Sequence, residues 1–260
     1  MGTLVLVPGA GLPGEAWRDV CTHLRRLGHD AVPVTLRGLG ARHDEATPET
    51  DLTDHVADVV DGVGGRDDVV LVGHSAAALT VWEAMPALAG RVRHVVLVGG
   101  TPLPVGTSPA GELGEEAMVQ VRALVDAAGG GWRVPPFPRE LVDAIFPDHR
   151  FDDDSWARYV ELSEGHPFAT MHTPARVAAD DADVTARRTH VTLLGDPGPR
   201  PSLPAPWEQV EFDSGHWPMF TRPVAFAELL DGLATARAAD TDEPATASQA
   251  VPHDTRVSGG

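Results

Sequence analysis

Short apolar runs recur along the chain at 3–7, 31–34, 69–72, 94–98 and 190–194. Each is rich in branched residues and too short for a helix, so each predicts a buried strand. Between and after them the apolar positions return at helical spacing, over 14–27, 52–63, 76–89 and 223–236. Strands alternating with helices of this length predict an α/β fold, a mostly parallel twisted sheet with helices on both faces. The alternation lapses between 101 and 188, where no clear strand stands out and weaker helical patches fall at 114–127, 138–146 and 154–163. That long helical excursion predicts a cap over the carboxyl edge of the sheet, inserted before the penultimate strand. Within it, "DAAGGGWRVPPFPRE" predicts a flexible or extended connection. The organisation expected is a core over 1–100 and 189–236, a helical cap over 101–188, and a tail over 237–260. The tail is rich in Ala, Thr, Asp, Ser and Pro without periodicity, and is expected to be disordered.

Open parallel sheets gather reactive groups where strands end. After 69–72 comes "GHSAAAL", with Ser75 at a strand-to-helix junction. Such a serine is either a helix N-cap or the nucleophile of a G-x-S-x-G elbow, here with Ala77 in place of the last glycine. After 3–7 comes "PGAGLPGEAW", whose glycines let the backbone pass close to a ligand. The N–H of Ala10, with Gly11 as its neighbour, is the candidate to form an oxyanion hole with the N–H of Ala76. "EFDSGHWPMFTRP" presents His216 after a short extended segment and before the last helix. The acid that would orient His216 is open. Asp196 in "LLGDPGPRPS" follows the penultimate strand, Asp213 lies three residues before His216, and a Ser75–His216 dyad needs neither.

Composition narrows the partners. The net charge is −18 and every one of the 20 basic residues is arginine, so the surface repels nucleic acid and anionic membranes. The single cysteine, Cys21, excludes an internal disulfide and lies in an amphipathic helical pattern, where it reads as a core residue. "MGTLVLVPG" has neither a basic segment nor a long apolar one, so no signal peptide is expected and a cytoplasmic location is. His166 and His172 are six apart across a proline, and no H-E-x-x-H occurs, so no metal site is expected.

Taken together, these segments resemble the α/β-hydrolase superfamily over about residues 3–235. The resemblance is to the small group of plant-type methylesterases, hydroxynitrile lyases and their bacterial esterase relatives. It is carried by "VLVPGAGLPGEAW", "TDLTDHVADVV", "DVVLVGHSAAAL", "HPFATMHTP" and "SGHWPMFTRP", in that order. It implies Ser75 as nucleophile and His216 as base. Three departures stand out. Ala77 and Ala78 occupy places where relatives have glycine, Pro8 stands where they often have histidine, and Gly198 falls where their acid is expected, two residues beyond Asp196. The chain contains no lysine, on which cyanohydrin cleavage in the plant-type lyases depends. Its elbow residue is not the aspartate of epoxide hydrolases and haloalkane dehalogenases.

The function expected is hydrolysis of an ester or thioester of a small to medium apolar substrate through an acyl-enzyme, which needs no cofactor. Two alternatives stay open. One is a Ser/His-dependent elimination or cyclisation in secondary metabolism, the other a ligand-binding protein that keeps only the fold. The partner expected is a small molecule, with no nucleic acid and no membrane. His74, Trp132, Trp156 and Phe168 are assigned to substrate binding, from a cap that also carries Phe137, Phe146 and Phe151.

Overall fold

The computed structural model describes residues 2–236, so the tail expected over 237–260 lies outside the described residues. Six strands form one wholly parallel sheet: β1 (Thr3–Val7), β2 (Asp30–Pro33), β3 (Val69–His74), β4 (Val92–Val98), β7 (Arg187–Leu193) and β8 (Glu208–Phe212). Their order is β2-β1-β3-β4-β7-β8. Side chains alternate between two layers, as the pleat requires. Leu4, Leu6, Val70, Val72, Val96 and Val98 pack towards α1 (Arg18–Arg26) and α8 (Pro223–Thr235). Val5, Val7, Leu71, Val95 and Leu97 pack towards α2 (Leu52–Val63) and α3 (Ala77–Ala84). Burial on both faces explains why these strands read as continuous apolar runs. Cys21 is fully buried in the first layer, where desolvation pushes its thiol up to about 11.

The helices start and stop where local chemistry dictates. Asp51 caps α2, accepting from Thr53 and Asp54 while Asp54 answers the Asp51 N–H. The helix predicted over 14–27 opens as a 3-10 turn, Gly14–Trp17, before α1. The one predicted over 76–89 becomes 3-10 at Met85–Leu88, where Pro86 lacks the donor an α-helix needs.

Between β4 and β7 the chain leaves the sheet and forms α4 (Pro109–Ala128), α5 (Arg139–Ile145) and α6 (Asp153–Leu162). This is the helical insertion before the penultimate strand. Asp152, first of three consecutive aspartates, is the N-cap of α6. One feature was not expected: β5 (Arg133–Val134) and β6 (His166–Pro167) pair as a small antiparallel ribbon. Two residues a strand leave no alternation to detect. After β8 a single turn, α7 (Pro218–Thr221), leads into α8. Among the described residues no helix is long and apolar enough to cross a membrane.

The order of the strands prepares a site. From β1 the chain goes to β2 on one side, and β3 lies on the other, so the loops leaving β1 and β3 part above a crevice. Ligands of open α/β sheets bind at such a switch point.

Candidate active site

At the end of β3 the backbone reverses within one residue. Ser75 takes φ +54°, in the left-handed region that costs a non-glycine residue on the order of 1–3 kcal/mol. Its N–H donates to the Val98 carbonyl at 2.8 Å, and its carbonyl accepts from Ala78 at 2.9 Å, which opens α3. The side chain is thereby lifted out of the sheet, half-buried. Ala77 and Ala78 are buried, and Gly100 makes room beside Ala78: a Cβ at residue 100 would lie 2.3 Å from the Ser75 carbonyl oxygen and 2.9 Å from the Ala78 Cβ.

His216 stands on the loop after β8, with Nε2 2.9 Å from Ser75 Oγ. Its Nδ1 lies 2.9 and 3.0 Å from the two carboxylate oxygens of Asp196. A carboxylate only accepts, so Nδ1–H donates and Nε2 is left to accept from the serine hydroxyl. Asp196 reaches this place because the two loops are tied: the Gly195 N–H donates to the Ser214 carbonyl at 2.9 Å. Asp213 points away and pairs with Arg150 and Arg222 at the surface. The structure therefore brings Asp196 to His216 and leaves Asp213 outside. Phe146 stacks on the imidazole, ring centroids 4.2 Å apart.

The loop after β1 lies across from the elbow, since β1 and β3 are neighbours with Val7 opposite Gly73. Ala10 lines the cavity and Ala76 is exposed next to Ser75, and among the described residues neither N–H donates to a protein acceptor. Gly11 is held on both sides by the cap. Its carbonyl accepts from the Glu164 N–H at 2.8 Å, and its N–H donates to His166 Nδ1 at 3.3 Å. At φ +71°, with the Glu164 carbonyl oxygen 2.6 Å from where a Cβ would be, only glycine fits. Gly11 thus spends its N–H on the cap, while Ala10 keeps its own free.

His74 is fully buried, and its Nε2–H donates to the His216 carbonyl at 2.7 Å. Burial, then the nearby His216, push its pKa down to about 3, so it stays neutral. Its Nδ1 is sealed off without a partner.

A small cavity, partly open to solvent, lies above Ser75. Phe137, Phe146, Tyr159 and Trp217 supply its apolar wall, and His74 and His166 line it too. Trp132, Trp156 and Phe168 do not. The Arg133 guanidinium lies over the Trp132 ring, Arg139 over Trp156 on a separate surface groove, and Phe168 meets His172 edge-on. Through such contacts Trp156 ties α5 to α6, and the Arg122 guanidinium of α4 lies over Phe168. Tyr159, His166 and Trp217 were missed; only Trp217, directly after His216, had a signal in its position. Among the described residues no group of three or more His, Cys, Asp or Glu side chains is placed to hold a metal ion.

Comparison with known proteins agrees with this architecture. A family model described as "Alpha/beta hydrolase family" matches residues 4–229. A carbendazim hydrolyzing esterase of Nocardioides sp. (strain SG-4G) is 26% identical over 256 residues, 90% of this chain and 100% of that protein. Among solved structures, an extracellular alpha/beta-hydrolase from a Paenibacillus species superposes with a TM-score of 0.72 at 18% identity. It spans 89% of this chain and 98% of its own, and is described as sharing structural and functional homology with tobacco Salicylic Acid Binding Protein 2. Tomato Methylketone Synthase I, complexed with 2-tridecanone, gives 0.69 at 16% identity, over 90% of this chain and 97% of its own.

Proposed function

The chain belongs to the alpha/beta hydrolase family, and from that premise we propose that it is a serine esterase acting through an acyl-enzyme. The observation that carries the reading is the unbroken hydrogen-bond chain from Ser75 Oγ through His216 to Asp196. In it His216 Nε2 takes the hydroxyl proton as Ser75 Oγ bonds to the ester carbonyl carbon, and the carbonyl electron pair moves to oxygen. The Ala10 and Ala76 N–H groups receive that oxyanion, each such donor being worth roughly 10²–10³ in rate. On collapse the bond to the leaving alcohol or thiol breaks, and His216 returns the proton to it. Water then attacks the acyl carbon by the same proton path in reverse. Asp196 holds the ring in its tautomer and offsets the imidazolium charge.

The apolar wall of Phe137, Phe146, Tyr159 and Trp217 suits a small to medium apolar acyl or aryl ester. The nearly full-length likeness to an esterase that hydrolyses carbendazim supports an ester of that general kind, in the methylesterase-like group. The Asp196 carboxylate behind His216 favours acyl transfer over the elimination alternative, in which His216 would serve chiefly as a base.

The test is labelling by a fluorophosphonate probe, alongside p-nitrophenyl acetate and carbendazim hydrolysis. Labelling should vanish in Ser75→Ala and His216→Ala and weaken in Asp196→Asn. A folded wild type that neither labels nor hydrolyses the aryl ester would sink the proposal.

A further inference from the structure

His166 sits in the ribbon β5–β6, and its ring forms part of the cavity wall above Ser75. A backbone N–H can only donate, so the 3.3 Å contact from Gly11 makes Nδ1 the acceptor. The neutral ring then carries its proton on Nε2. Burial, and after it the nearby His55 and Arg133, push the His166 pKa down to about 3, so the ring is neutral around pH 7. His55 meets it edge-on at 5.3 Å but gives its own Nε2–H to the Arg37 carbonyl. Among the described residues His166 Nε2 has no protein partner, yet it is not one of the sealed-off buried polar atoms. It therefore reaches free space, and the free space beside the ring is the cavity.

The surroundings define what such a donor would meet. Its neighbours in the wall are Phe137, Phe146, Tyr159 and Trp217, and no arginine lines the cavity. The Glu164 carboxylate is already engaged by the Gly40 N–H and His43. An anionic group would find no cation in the cavity wall to pair with, whereas an uncharged oxygen or ring nitrogen would find a hydrogen bond in apolar surroundings.

Resting on the esterase reading of this cavity, we propose that His166 is a specificity-determining residue. Its Nε2–H donates to an uncharged acceptor that the substrate carries beside its scissile carbonyl, such as an ether or keto oxygen or a heteroaromatic nitrogen. A site built around a donor penalises the analogue that lacks the acceptor, because the donor is then left unpaired. The same ring anchors the oxyanion loop through Gly11, and the test must separate the two roles.

The p-nitrophenyl esters of pentanoic, ethoxyacetic and 3-methoxypropanoic acids have acyl chains of equal length, with an ether oxygen replacing successive methylenes. The kcat/KM of each ether ester is divided by that of the pentanoate, and the ratio is compared between wild type and variants. Intrinsic ester reactivity cancels, as does a weakened oxyanion loop, which lowers all three alike. In His166→Phe the preference for at least one ether ester should fall about tenfold, the worth of one hydrogen bond. His166→Gln, whose amide can accept from Gly11 and donate to substrate, should keep it within about twofold. An unchanged preference in His166→Phe overturns the proposal, and so does an equal loss in both variants, which would indicate shape alone. Fluorophosphonate labelling is run on the same samples: labelled protein with unchanged preference refutes only the role of His166. An unlabelled wild type refutes the esterase reading, and this proposal with it.

Discussion

His74 donates from Nε2 to the main-chain carbonyl of His216 at 2.7 Å, so the residue before the elbow serine holds the loop that carries the serine's partner. The two rings also lie 5.0 Å apart, centroid to centroid. His74→Leu removes the donor and leaves a buried carbonyl unpaired, which should cost about 1–3 kcal/mol of stability in urea unfolding. It should also lower kcat for aryl esters at least about tenfold with little change in KM, because His216 rather than substrate loses its support. His74→Gln retains a donor and should recover most of both. A His74→Leu protein as stable and as active as wild type would remove any positioning role from this hydrogen bond.

Asp196 and Asp213 make opposite predictions. Asp196→Asn keeps the shape beside His216 Nδ1 but no longer fixes the tautomer, and in the comparable serine-protease triad that change costs about 10⁴ in kcat. Asp213→Asn disturbs only exposed pairs with Arg150 and Arg222 and should leave kcat/KM within about twofold. Steady-state hydrolysis of p-nitrophenyl acetate by both variants decides between them.

The middle of the sheet was legible because its central strands are buried on both faces, and a run such as Val69–Val72 can be little else. The elbow was legible because it follows such a strand; the histidine loop follows the edge strand β8, which is exposed along much of its length and read only as a short extended segment before the last helix. The identity of the acid was not. Asp196 stands two residues before the family's expected position, and only the fold reveals the hydrogen bond between Gly195 and Ser214 that draws its loop over His216. Cap aromatics were legible as a set and not one by one. In a helix or strand the period assigns a face, but Trp132, Phe137, Phe146 and Phe168 lie outside the α and β periods or at their ends. Phe137 and Phe146 face the cavity, while Trp132, Trp156 and Phe168 do not, each lying instead against an arginine. His166 looked like half of a failed metal pair, because its partner is the Gly11 backbone, 155 residues away in sequence.

The alanine-rich elbow has a prediction of its own. Gly100 supplies the room that the Ala78 methyl and the Ser75 carbonyl share, so Gly100→Ala should displace the elbow backbone. A loss of several kcal/mol, or of most activity, is expected from a clash with main chain that cannot swing aside. Ala77→Gly, restoring the usual motif, should do the reverse of what the motif suggests. It places a glycine at the start of α3 and should cost about 0.5–1 kcal/mol while leaving kcat unchanged. Thermal melts and aryl-ester kinetics on the two variants test both statements.

Among the described residues five buried histidines with depressed pKa values, His55, His74, His94, His166 and His190, shape the response to acid. Burial leads in each case, pushing His74 and His166 down to about 3 and, with help from Arg187, His94 down to about 4. In the unfolded chain each titrates near 6.5. Above that pH both states are neutral and nothing changes. Below it the unfolded chain binds protons that the folded one refuses, so stability falls by roughly 1 kcal/mol per pH unit for each histidine. The fall ends once the pH reaches the folded values. Asp58 acts later: burial opposes its charge, but hydrogen bonds from Arg37 and Arg42 outweigh this and hold its carboxyl below the usual range. Its contribution is therefore lost only as the pH drops below about 4. Urea midpoints should accordingly drop steeply between about pH 6 and pH 4. His94 bonds to Thr189 and the Leu233 carbonyl, well away from Ser75, so His94→Gln isolates one of the five. Its stability should depend on pH less steeply than wild type by roughly 1 kcal/mol per pH unit in that window. An identical slope would mean that His94 is already protonated in the folded protein, or that its neutral form is not what burial selects.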